Sequence, residues 1–99
     1  MSVKQLVDSA IAENSVTIFS KSYCPYCKRA KALIASELPN AQVKIFELDE
    51  IDEGSDIQAY LADLTGQRTV PNVFIKQQHI GGSDDLAAAH REKGIKNLL

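Results

Sequence analysis

Cys24 and Cys27 are the only two cysteines among 99 residues, and they stand three positions apart in Lys21-Ser22-Tyr23-Cys24-Pro25-Tyr26-Cys27. Two thiols at that spacing can form a structural disulfide, supply half of a metal site, or cycle between thiol and disulfide. A structural role is the weakest of the three. The chain entropy that a cross-link removes grows with the loop it closes, and this loop is very short. Small secreted domains that depend on disulfides also tend to carry several. A structural zinc site needs four protein ligands, yet His79 and His90 are the only histidines that could complete one. Their spacing matches no ligand motif. One falls in an expected hairpin and the other within an expected helix, so both read as surface or boundary residues.

The redox alternative suits the surroundings. The pair follows the β-branched run Val16 to Ser20 and precedes a segment of helical spacing, so Cys24 stands at a helix start. Unpaired N–H groups and the positive end of the helix dipole there favour thiolate over thiol. Pro25 suits the first helical position, where its missing N–H costs nothing. Lys21, Lys28, Arg29 and Lys31 add positive charge with no acid between them. Cys27 should lie about one turn further on, more covered but within reach of a mixed disulfide on Cys24. Cys24 is thus the expected nucleophile and Cys27 the expected resolving thiol. A C-x-x-C in a strand–helix–strand setting is the thioredoxin-like arrangement.

The elements that must position this pair can be read along the chain. Ser2 should cap a helix carrying Val3, Leu6, Val7, Ala10 and Ile11. A strand at Val16–Ser20, a helix from about Cys24 to Ser36 with Ala30, Leu33 and Ile34 inward, and a strand at Val43–Leu48 make a βαβ unit, hence a parallel pair. Ser55 and Gln58 have the spacing of a capping box. They should open a helix bearing Ile57, Tyr60, Leu61 and Leu64 that Gly66 closes. Asn72–Lys76 and His79-Ile80 read as a hairpin around Gln77-Gln78. A last helix is expected from about Ser83 to Lys93, followed by one more short turn. The order αβαβαββα implies a small mixed sheet flanked by helices, in one domain over 1–99.

With 11 Lys and Arg against 13 Asp and Glu, the chain lacks the basic face that nucleic acid requires. No apolar run approaches the roughly 20 residues of a membrane span. The start, Met1 to Asn14, has neither the basic head nor the apolar centre of a secretory signal. A cytoplasmic location is expected, or an organellar one after removal of a targeting segment. The acidic run Glu47, Asp49, Glu50, Asp52, Glu53 and Asp56 reads as a solvated loop, and Tyr23 as a packing residue.

Three separated motifs, Lys21 to Cys27, Gly66-Gln67-Arg68-Thr69-Val70-Pro71-Asn72-Val73-Phe74-Ile75 and Gly81-Gly82-Ser83-Asp84-Asp85-Leu86, together resemble the dithiol glutaredoxins over essentially the whole chain. Thioredoxins carry Trp-Cys-Gly-Pro-Cys instead, and this chain has no tryptophan. The resemblance implies a thioredoxin-like fold with a four-stranded sheet, and glutathione as co-substrate with no metal. Lys21, Tyr26, Gln58 and Arg68 would face the glycine end of glutathione. Thr69, Val70 and a cis Pro71 would pair with its cysteinyl part, and Gly82, Ser83 and Asp84 would hold the γ-glutamyl end.

The function implied is a monomeric glutathione-dependent oxidoreductase that reduces protein disulfides and glutathione mixed disulfides, with those proteins as partners. The rival is a homodimeric iron–sulfur scaffold using Cys24 and glutathione. Pro25, rigid and without an N–H, argues against it, since cluster-binding relatives usually have a smaller residue there. A thioredoxin-like reductase fed by a flavoprotein is disfavoured by Lys21 and the Gly81–Asp85 segment.

Overall fold

The computed structural model describes residues 1–99. Helix α1 (Val3–Glu13) opens with the side chain of Ser2 accepting the Gln5 N–H while the Gln5 side chain accepts the Ser2 N–H, a reciprocal cap. Strand β1 (Val16–Ser20), helix α2 (Pro25–Glu37) and strand β2 (Val43–Glu47) form the expected crossover, with β1 and β2 parallel. Helix α3 (Gly54–Thr65), the hairpin β3 (Asn72–Ile75) and β4 (Gln78–Gly81), helix α4 (Ser83–Lys93) and a 3₁₀ turn (Ile95–Leu98) complete the chain. The sheet order is β2-β1-β3-β4, with β3 antiparallel to both β1 and β4.

Both faces of the sheet are covered, which explains why β1 and β3 are buried at every position rather than at alternate ones. Val16, Ile18, Val73 and Ile75 point to one side and meet Ala30 and Ile34 of α2 and Leu86 of α4. Phe19 and Phe74 point to the other and meet Val7 of α1 and Ile57 and Leu61 of α3. Phe19 stacks on Phe46 with centroids 5.1 Å apart and takes Phe74 edge-on at 6.1 Å. Burying a side chain of that size is worth about 1.5–3 kcal/mol. This aromatic cluster includes Phe19 near the end of β1, and so supports the segment leading to Cys24.

Four local expectations are corrected. Helix α3 starts at Gly54 with Glu53 at the cap and no side-chain cap bond, so Ser55 and Gln58 make no capping box. The earlier start lets the helix approach β2 so closely that a Cβ on Gly54 would overlap the Leu48 carbonyl. Leu64 is 49% exposed, one turn beyond the edge of the sheet-facing stripe. The hairpin turns at Lys76-Gln77, one residue early, with φ of 50° and 69°, the left-handed pair of a two-residue turn. Tyr23 is 67% exposed and packs into no core.

Candidate active site

Strand register brings the chemistry-bearing segments to one end of the sheet. Phe19 lies opposite Asn72, so the chain leaving β1 toward Cys24 runs beside the chain arriving at β3 through Thr69, Val70 and Pro71. Val73 lies opposite Gly81, which adds Gly82, Ser83 and Asp84 to the same end. Ser20 pairs with Glu47 and its carbonyl accepts the Leu48 N–H at 2.8 Å, so the acidic segment after β2 is there too.

Pro25 is the first residue of α2 and Cys24 is its cap, with extended φ of −85° and ψ of 119°. The Cys24 Sγ accepts the N–H of Cys27 at 3.4 Å, in the manner of a capping oxygen. Cys24 is partly exposed, whereas Cys27 is fully buried. Partial burial works against a charge on Cys24. It is outweighed by the Cys27 N–H, the Cys27 thiol, the Tyr26 N–H and the Arg29 charge, which together hold the Cys24 thiol below its ordinary value. Burial pushes the Cys27 thiol up, against the Lys21 N–H, 3.5 Å from its sulfur, and the Ser20 hydroxyl, while the Cys24 sulfur adds to the rise. The same two residues are therefore unlike: an accessible sulfur that favours thiolate, and a covered one that keeps its proton.

The cation acting on Cys24 is Arg29, whose guanidinium lies 4.5 Å from the centroid of the exposed Tyr26 ring. Lys21 is not among the groups acting on Cys24; its charge is the smallest of the influences that lower the Asp49 carboxyl, after the Ser22 hydrogen bonds. Asp49 in turn accepts the N–H of Ser22 at 2.9 Å and the Ser22 hydroxyl, and Glu47 pairs with Lys31 of α2 at 2.7 Å. Part of the acidic run thus bonds the cysteine segment, Asp49 while remaining exposed to solvent. Only the parallel pairing of β1 and β2 could have signalled this, by placing the residues after each strand side by side.

At the same end of the sheet the Val70–Pro71 peptide is cis. Gln58, released from capping, donates to the carbonyl of the exposed Arg68 at 2.9 Å, so these two are joined. Gln67, which no sequence signal singled out, donates to the carbonyls of Thr69 at 3.0 Å and Pro71 at 2.8 Å. Gly81 has φ of 120°, and a Cβ there would overlap the Asp85 carboxylate. That carboxylate accepts the Gly82 N–H at 2.9 Å, so Asp85 shapes the turn that presents Ser83 and Asp84. The spacing of Gly82 and Asp85, three apart at a helix start, was the available signal. His79 and His90 lie on different elements, and no group of three or more His, Cys, Asp or Glu side chains is placed to hold a metal.

The family model described as glutaredoxin matches residues 16–80, from the first residue of β1 to β4. The chain belongs to the glutaredoxin family. It is 50% identical over 97 residues to Glutaredoxin-1 of Rhizophagus irregularis, covering 98% of this chain and 94% of that one. The crystal structure of a buckwheat glutaredoxin–glutathione complex superposes with a TM-score of 0.91 at 41% identity, covering 98% of this chain and 86% of that one. The holo form of glutaredoxin C1 from Populus tremula × tremuloides gives 0.87 at 38%, with coverages of 97% and 93%. The fold is thioredoxin-like, as the resemblance implied, and as a glutaredoxin the chain is a thiol oxidoreductase. No helix of this glutaredoxin is long and apolar enough to cross a membrane.

Proposed function

We propose that this glutaredoxin is a monomeric dithiol enzyme that reduces protein disulfides and glutathione mixed disulfides with electrons from glutathione. The observation that carries this reading is the contrast between the cysteines: Cys24 is accessible and favours the thiolate, while Cys27 is buried behind it and holds its proton.

In the monothiol route the Cys24 thiolate attacks the glutathionyl sulfur of a mixed disulfide. The protein thiolate leaves and takes a proton, and Cys24 carries glutathione. A second glutathione thiolate attacks that sulfur, releasing glutathione disulfide and restoring Cys24. In the dithiol route Cys24 attacks a protein disulfide. Cys27 then loses its proton and attacks the Cys24 sulfur, forming the Cys24–Cys27 bond as the second substrate thiol departs. Two glutathiones reduce that bond. The pairing of a low thiol with a high one suits this order, since Cys27 stays protonated until a mixed disulfide forms beside it.

Glutathione would lie along the sheet end, as in the family resemblance, and the buckwheat relative solved with glutathione supports glutathione as the ligand. Lys21, Tyr26 and Arg68 would face its glycine carboxylate. Gln58 commits one amide N–H to the Arg68 carbonyl and keeps the other for the ligand. Thr69, Val70 and Pro71 would line the peptide of the cysteinyl part, which pairs with Val70 like an added strand. The N–H groups of Ser83 and Asp84, in the first turn of α4, would receive the γ-glutamyl carboxylate, and the Asp84 side chain its ammonium.

A turnover assay fed by glutathione tests the reading, with a glutathionylated protein and a protein disulfide run side by side. Turnover of both that depends on glutathione is expected, and turnover of neither would refute it. An iron–sulfur scaffold would need cluster ligands from outside the chain, because Cys24 and Cys27 are not joined by a third donor. Anaerobic purification with a visible absorption spectrum distinguishes that alternative.

A further inference from the structure

Gln67 is half-buried between the loop before β3 and the start of α4, and its amide makes bonds at both ends. Its Nε2 donates to the carbonyls on either side of Val70, those of Thr69 at 3.0 Å and Pro71 at 2.8 Å. Two carbonyls can only accept, so they settle which end of the Gln67 amide is nitrogen. The Oε1 must then face outward, where His79 Nε2 lies at 3.2 Å. That ring nitrogen also lies 2.8 Å from the side-chain amide of Asn72, and because the Gln67 Oε1 can only accept, the hydrogen in the contact with Gln67 is carried by His79 Nε2. The chain of bonds thus runs from the loop carbonyls through Gln67 and His79 to Asn72, which is buried in β3 opposite Phe19.

Between the two clamped carbonyls, the N–H and C=O of Val70 enter no hydrogen bond within the chain. A backbone edge left open in this way, flanked by carbonyls drawn to the other side, is suited to pairing with an extended ligand. We propose that Gln67 is a positioning residue for substrate: by drawing the Thr69 and Pro71 carbonyls onto its amide, it presents the Val70 peptide to the glutathionyl moiety. Gln67 does not touch the ligand, and the effect is carried by the backbone. The proposal rests on glutathione pairing at Val70, as set out above, and it extends that site to Gln67, His79 and Asn72.

Gln67→Met keeps the shape of the side chain and removes both donor and acceptor, and Gln67→Ala removes the side chain altogether. Each should raise KM for a glutathionylated substrate about fivefold to tenfold, the worth of one or two lost hydrogen bonds. Turnover at saturation and the pH profile of Cys24 alkylation should stay unchanged, which a general loosening of the fold would not leave intact. Nitrogen NMR of the unmodified protein should show the neutral His79 ring protonated at Nε2, with that preference weakened in Gln67→Met. An unchanged KM in both variants, or a fall in turnover with no change in KM, would overturn the proposal. A Cys24→Ser background, which binds glutathione without exchange, separates the two layers. If the Val70 amide shifts on adding glutathione while KM ignores Gln67, the positioning role alone fails. If the Val70 amide does not respond even with Gln67 present, the site reading and the proposal fail together.

Discussion

The carboxylate of Asp49 accepts two hydrogen bonds from Ser22, one from its N–H at 2.9 Å and one from its hydroxyl. Two residues later the chain reaches Cys24, so the loop after β2 ties down the segment that delivers the nucleophile. The Ser22 hydroxyl and N–H, with a smaller contribution from Lys21, hold the Asp49 carboxyl below its usual range. Because the folded value is the lower one, the contact contributes fully above the ordinary carboxylate range and is lost as pH falls through the lowered value. Asp49→Ala should speed amide exchange at Ser22 about tenfold near neutral pH. Exchange unchanged from the parent protein would mean that other contacts hold this loop.

Cys24→Ser should abolish reduction of both substrate classes, since no other accessible thiol is present to begin exchange. Cys27→Ser should keep deglutathionylation and lose most protein-disulfide reduction, which needs a resolving thiol. Parallel assays of the two variants check the division of labour, and a reversal of the two phenotypes would invert the roles.

Arg29 and Lys21 make opposite predictions. The Arg29 charge acts on Cys24, whereas the Lys21 charge is felt at Asp49 and not at Cys24. In a pH series of iodoacetamide alkylation, the parent inflection should lie below that of a free cysteine, with reactivity falling as pH drops through it. Arg29→Gln should move the inflection upward, because a nearby positive charge favours thiolate. Lys21→Gln should leave it nearly in place. An inflection that follows Lys21 instead would reassign the cation.

Asp84 stands exposed in the first turn of α4, beyond the turn that Gly81 and Asp85 shape. Asp84→Lys should raise KM for glutathione about tenfold, the lower end for a charged hydrogen bond because solvent screens the site. The rate of Cys24 alkylation should not change. Unaltered glutathione kinetics would reduce this helix start to a cap.

Much of this protein was legible in its sequence because the governing interactions are local. The β-branched run Val16 to Ser20, the helical spacing of Ala30 and Ile34, and Pro25 after Cys24 depend on neighbours within one or two turns. They suffice for the element order, the parallel β1–β2 pair and a cysteine at a helix start. The three motifs, read together, also pointed to the family that the comparisons establish. What escaped was the choice of side-chain partner. Gln58 had a plausible cap three residues away at Ser55 and bonds the Arg68 carbonyl instead. Of the four cations near the cysteines in sequence, Arg29, one turn into α2, is the one that acts on Cys24, and spacing alone did not single it out. Asp49 and Ser22 are 27 positions apart and meet only because parallel register sets the ends of β1 and β2 side by side. Gln67, in the loop before β3, finds His79 because the β3–β4 pairing brings β4 alongside that loop. Backbone pattern follows local periodicity, but a polar side chain bonds whatever donor or acceptor the sheet register brings within about 3 Å, and only the folded chain decides that.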